Sequence, residues 1–163
     1  MRFIYFCWGS AHSSITAASV HLGRLPLERR PSVREVMNVP KFDWLPNRRT
    51  GHLMLMGLDS NGNEVYALGL GRHHANYKYL ISRYLELLGL TPADYRLLNC
   101  LPCVNGLTRI GGFSSRSLGA VWFGRRLAAW GVTLSYRHYT RLVSVAKRSR
   151  AQDDAFLDWT PPL

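Results

Sequence analysis

A chain of 163 residues with 47% apolar and 19% charged residues is long enough for one domain with a substantial core, and its composition excludes an intrinsically disordered protein. Its 21 Lys and Arg against 10 Asp and Glu give a net charge of +11, which points to anionic partners: nucleic acid, nucleotides, phosphorylated metabolites or acidic lipid. No apolar run approaches the roughly 18 residues of a membrane span, and no secretion signal is recognisable, so the expected location is the cytoplasm.

The chain opens with a strand. Phe3 to Cys7 is apolar on both faces, as a central parallel strand is. A small polar loop, Gly9-Ser10-Ala11-His12, follows. A helix is then predicted from Ser13 to Leu22, with Ile15, Ala18, Ser19 and Leu22 on one stripe, Ser13 or Ser14 as its cap and Gly23 at its end. Residues 24–50 hold Pro26, Pro31, Pro40 and Pro46, which interrupt any long element. One short helix fits behind the capping box of Ser32 and Glu35, and Leu25, Val36, Phe42, Trp44 and Leu45 can tuck against the core. This segment is either a cover beside the first loop or a passive connector.

Residues 52–70 predict a hairpin, with strands at Leu53–Met56 and Val65–Leu68 and a turn at Asp59–Asn63. Asp59 reads as a turn residue. Gly69-Leu70-Gly71-Arg72-His73-His74 then leads into a helix over Ala75–Leu88, whose apolar stripe includes Tyr77, Leu80, Ile81, Tyr84, Leu85 and Leu88. Tyr95–Leu101 is the next strand and runs into Cys100-Leu101-Pro102-Cys103. Leu107–Gly112 reads as a loop, and Ser115–Trp130 as a serine-capped helix with Leu118, Val121, Trp122 and Leu127 inside, broken by Gly131. Val132–Arg148 is a basic amphipathic helix, with a strand at Val132–Tyr136 as the alternative. The expected whole is a single α/β domain over residues 1–148, with a polar tail at 149–163. Its sheet is short and mostly parallel, with one β-hairpin, helices on both faces and a P-loop-like strand–loop–helix start.

That start is the main candidate site. Gly9, Ser10, Ser13 and Ser14 offer small residues, loop N–H groups and a helix N-terminus to an anion, with Ser13 and Ser14 where a phosphate-binding P-loop has its hydroxyls. His12 stands where that loop has lysine, Ala11 replaces a glycine, and Phe6 occupies the position of the first glycine, so the pattern is not a Walker A motif. His12 is the candidate acid/base. Cys7 is the candidate nucleophile, or a buried structural cysteine. The phosphatase pattern C-x5-R-[ST] would need arginine where Ser13 stands. Arg72, Arg109, Ser115 and Arg116 come from two later glycine-containing segments and are candidate anion ligands, provided that those segments converge on the first loop. Cys100 and Cys103 form a lone C-x-x-C, a weak signal for metal or redox chemistry, and no metal or cofactor is assigned.

Three segments carry a resemblance. Phe6-Cys7-Trp8-Gly9-Ser10-Ala11-His12-Ser13-Ser14 with the helix ending His21-Leu22-Gly23 resembles the start of the domain of unknown function 3189 family. The hairpin segment from Gly57 to Tyr66 and the motif from Asn105 to Arg116 resemble later parts of it, so the similarity spans about residues 1–147. The resemblance implies one domain and an occurrence mainly in spore-forming bacteria of the Bacillus–Clostridium group. It implies no activity.

The functional expectation is therefore an anion- or phosphate-recognising domain, with an enzyme acting on a nucleotide or phosphorylated small molecule through Gly9–Ser14 as one form of it. One alternative is a nucleic-acid-binding module. It would use residues 95–152, which hold ten basic and no acidic residues, with Trp122, Tyr136 and Tyr139 for stacking. The other is a non-catalytic partner-binding protein in sporulation.

Overall fold

The computed structural model describes residues 1–44, 51–71, 74–149 and 153–157. In chain order these form β1 (Arg2–Cys7), α1 (Ser13–His21), α2 (Val33–Met37), β2 (Met54–Leu58), β3 (Glu64–Gly69), α3 (His74–Leu87), β4 (Tyr95–Asn99), a 3-10 turn (Leu101–Cys103), α4 (Gly106–Ser117), α5 (Val121–Leu134), α6 (Tyr136–Arg148) and β5 (Phe156–Leu157). The sheet order is β2-β3-β1-β4-β5. β1 is parallel to β3 and β4, β5 is parallel to β4, and β2 is antiparallel to β3. The α/β expectation, with a mostly parallel sheet and one hairpin, holds.

The two faces of β1 are covered by different helices. Phe3, Tyr5 and Cys7 join the larger core, with Ile15 and Ala18 of α1 and Tyr139, Leu142 and Val143 of α6. Ile4 and Phe6 join the smaller core, with Leu68, Leu97 and Leu85 of α3. This period-two split is what a central strand buried on both sides requires. It also means that the chain crosses one face between β1 and β3 and the other between β3 and β4. The direction of winding reverses at β1, and the crevice at such a reversal, beyond the carboxyl ends of the strands, is where doubly wound sheets bind ligands.

Local chemistry explains most elements. Ser32 accepts from the Glu35 N–H while the Glu35 carboxylate accepts from the Ser32 N–H, so the capping box that opens α2 is present. Gly23 has φ of 70°, and the Arg24 N–H reaches back to the Ser19 carbonyl, closing α1 with a left-handed residue. Asp59 sits in the hairpin turn and accepts from the Asn61 and Asn63 N–H groups.

Several expectations need correction. Leu107–Gly112 is not a loop but lies inside α4, which is capped by Asn105 accepting from the Thr108 N–H. Gly131 does not end a helix, because α5 continues to Leu134 and the break falls at Ser135. The reason is close packing. A Cβ at Gly111 would lie 2.3 Å from the Ala128 nitrogen, one at Gly124 2.3 Å from the Ser115 nitrogen, and one at Gly131 2.4 Å from Thr108 Oγ1. These glycines let α4 and α5 cross backbone to backbone. α1 is not capped by Ser13 or Ser14: His12 holds the cap position with no capping side-chain bond. Leu80, Tyr84, Leu88 and Trp44 are exposed, as are Leu118, Val121 and Trp122, which the helical spacing had put inside. Tyr136 and Tyr139 are buried, so they are not available to stack on bases. Within the tail, Phe156 and Leu157 pair with Leu97 and Leu98 and extend the sheet.

Candidate functional site

β1 delivers Cys7 to the carboxyl edge of the sheet, between β3 and β4. Leu70 N–H bonds the Cys7 carbonyl and Gly71 N–H bonds the Trp8 carbonyl, so the chain beyond β3 is pinned against the start of the loop. The loop at Gly9 and Ser10 passes so near the end of β3 that a Cβ at Gly69 would meet the Ser10 nitrogen at 3.0 Å. Ser10 takes a positive φ of 51°, a backbone state that costs a non-glycine residue roughly 1–2 kcal/mol. That turn aims the Ser10 N–H at Cys7 Sγ, 3.2 Å away. The Ser14 hydroxyl lies 3.2 Å from the same sulfur, on the first turn of α1. Cys7 is thus held by two polar groups and is buried.

No side chain caps α1, so the N–H groups that every helix leaves without internal acceptors stay available at its start. A cavity of about 520 Å³ opens there, lined by Cys7, Gly9, Ala11, His12 and Ser13 from the first strand–loop–helix passage. Its other wall comes from the segment after β4 and from α4, including Thr108, Arg109, Gly112 and Phe113. These four α4 positions share one helical face. The cavity therefore stands at the reversal of winding, between the ends of β1 and β4.

His12 is buried and oriented from three sides. Its Nε2 lies 3.0 Å from Asp43 Oδ1. Phe42 meets the ring edge-on at 5.1 Å between centroids. On the third side α4 presses in at Gly112, where a Cβ would be 3.0 Å from His12 Cε1. Asp43 in turn accepts from the Ser115 hydroxyl through Oδ2 at 2.5 Å, and its own N–H bonds the Ala11 carbonyl at 2.9 Å. Asp43 also adopts a positive φ, 55°. The residues joined by these bonds come from the first loop, from the irregular segment and from α4. The segment before residue 45 is therefore a cover packed on the first loop.

The sequence-predicted residues divide as follows. Cys7, Gly9, His12, Ser13 and Arg109 line the cavity. Ser10 and Ser14 stand behind them, on Cys7 Sγ. Ser115 does not line the cavity but bonds Asp43. Arg116 belongs to α4, and its side chain lies outside what is described; Arg72 lies outside the described residues. Asp43 was missed, because an acid between two aromatics in a proline-rich stretch carries no spacing signal. Gly69 reads in the sequence only as the start of the glycine segment before α3, and its close approach to Ser10 has no local pattern.

Cys100 and Cys103 are buried below this edge. Burial pushes both thiols up, Cys103 to about 12, which keeps them protonated near neutrality. Among the described residues no group of three or more His, Cys, Asp or Glu side chains is placed to hold a metal ion. No described helix is long and apolar enough to cross a membrane.

A protein-family model described as a protein of unknown function, DUF3189, matches residues 2–148. The chain belongs to the DUF3189 family. Neither a curated protein nor a solved structure matches it. The matched span runs from β1 through α6 and so contains both walls of the cavity. The DUF3189 match says nothing of chemistry, which must come from the site itself.

Proposed function

We propose that this DUF3189 protein recognises a phosphate-bearing small molecule, a nucleotide or a phosphorylated metabolite, in the cavity between the first loop and α4. The observation that supports this most directly is the convergence of an uncapped helix N-terminus and Arg109 on one cavity at the reversal of winding. A helix N-terminus presents roughly half a positive charge and free N–H donors. A guanidinium adds a fork that fits two phosphate oxygens. His12, held by Asp43, is the group best placed to give or take a proton. Cys7 is the nucleophile of an enzymatic version of this reading, with the Ser10 N–H and the Ser14 hydroxyl fixing the position of its sulfur.

A thermal-shift screen with inorganic phosphate, sulfate and common nucleotides tests the reading. At least one should raise the melting temperature of the native chain. Arg109→Ala should weaken that ligand about tenfold or more, the scale of losing a charge-assisted hydrogen-bonded contact. His12→Ala with Ser13→Ala should abolish the shift. If no anion stabilises the native protein, or if Arg109→Ala binds as the native chain does, the reading fails.

A nucleic-acid function remains the alternative proposal, supported by the acid-free stretch of residues 95–152. Of the three aromatic residues expected to stack on bases, only Trp122 is exposed, since both tyrosines are buried.

A further inference from the structure

The turn between α4 and α5 shows what its sequence concealed. Residues 117–123, from Ser117 to Phe123, are all exposed, and from Leu118 onward every one of them is apolar or glycine. Leu118 is 68% exposed and Trp122 74%. Six consecutive exposed residues of this kind are costly in water and in a working protein mark a contact surface. Ile110 and Phe113 on α4 extend the apolar surface, and both are exposed.

The charges on its own two helices are of one sign. Arg126, exposed, lies over the Trp122 ring at 5.3 Å, and no acidic residue occurs from Tyr95 to Gln152. Among the described residues, two acids lie on segments packed against α4 or α5, and both are engaged. Asp43 is buried against His12 and Ser115, and Glu35 on α2, which packs on α5, is bonded to Arg29.

We propose that the α4–α5 turn is a peripheral membrane-docking element, which sinks Leu118, Val121, Trp122 and Phe123 into the interface of an anionic bilayer while Arg126 meets the headgroups. Tryptophan and phenylalanine beside arginine on an otherwise apolar tip are the composition of interfacial anchors. Anionic headgroups match the basic stretch from Tyr95 to Gln152, which carries no acid. A second copy of the chain fits less well, since a symmetric contact would set Arg126 and its neighbours against their own like charges. Nucleic acid fits less well too, since Leu118 and Val121 offer nothing to stack on bases. Ser117 and Phe113 also line the cavity, so docking would bring the cavity mouth near the headgroups. The inference does not depend on the anion-site reading.

Vesicle co-sedimentation of the full chain tests it. With equimolar phosphatidylglycerol and phosphatidylcholine the native protein should bind at least about tenfold more tightly than with phosphatidylcholine alone. The double variant Trp122→Ser/Phe123→Ser should lose about tenfold in binding to the anionic vesicles. Because the tip is exposed, this variant should melt at the native temperature. Arg126→Glu provides a second test and should weaken binding to the anionic vesicles. Any one of three results overturns the proposal: equal binding to both vesicle types or to neither; anionic binding unchanged in the double variant; or a native dimer in light scattering that the double variant converts to monomer.

Discussion

Asp43 ties the first loop to α4: it accepts from Ser115, pairs with His12, and donates its own N–H to the Ala11 carbonyl. Replacing it with Asn keeps the volume but removes the charge and one acceptor. The expected loss is about 1–3 kcal/mol of stability in a urea titration, the scale of a buried, charged hydrogen-bond partner. Stability unchanged in Asp43→Asn would show that the contacts are incidental. His21 makes a second buried link, with Nδ1 2.7 Å from the Tyr5 hydroxyl and Nε2 3.2 Å from Asp59. Burial lowers its pKa, against an opposing pull from Asp59. A histidine lowered in this way is neutral in the fold and gains its proton more readily in the unfolded chain. Its contribution to stability is therefore complete above about pH 6.5 and is lost as pH falls below that value. NMR titration should place His21 below 6.5, and a value at or above 6.5 would contradict this account. Asp59 behaves in the same sense at lower pH. Burial pushes its carboxyl up, but bonds from Asn63, Asn61 and His21 outweigh this and bring it down to about 2. Its contribution is present above about pH 4 and fades as pH falls towards 2.

At the scale of elements, α4 and α5 depend on three glycines. Gly111→Ala and Gly124→Ala each drive a methyl into backbone of the facing helix. Each should cost about 1–3 kcal/mol or more in chemical denaturation, despite the better helix propensity of alanine. A stabilised Gly111→Ala would disprove the close crossing. The same glycines mark the limit of what the sequence makes legible. β1, the hairpin and the α2 capping box could be read because alternation, turn residues and caps act over a few neighbouring residues. Gly106–Ser117 could not, because Gly111 and Gly112 imitate loop residues when the cause of their small size is α5 in one case and His12 in the other. The candidate site divides in the same way. Cys7, His12 and Ser13 follow from strand, loop and helix order. Arg109 reached the cavity, but from one face of a helix and not from a loop. Asp43 depends on a contact between positions 31 residues apart, which no local pattern encodes.

For the molecule as a whole, the sheet order decides where chemistry can occur. With β1 central and the winding reversed there, the ends of β1 and β4 frame one cavity. The smaller and larger cores hold β1 from both sides, so its amides should be among the slowest to exchange with deuterium, and fast exchange there would speak against this topology. We propose that an oxyanion sits in that cavity, between the start of α1 and Arg109. Crystals grown with tungstate, a phosphate mimic that scatters X-rays anomalously, test it directly. An ordered tungstate should lie within hydrogen-bonding distance of the Ser13 backbone and the Arg109 guanidinium. Tungstate bound only elsewhere, with this cavity empty, would contradict it.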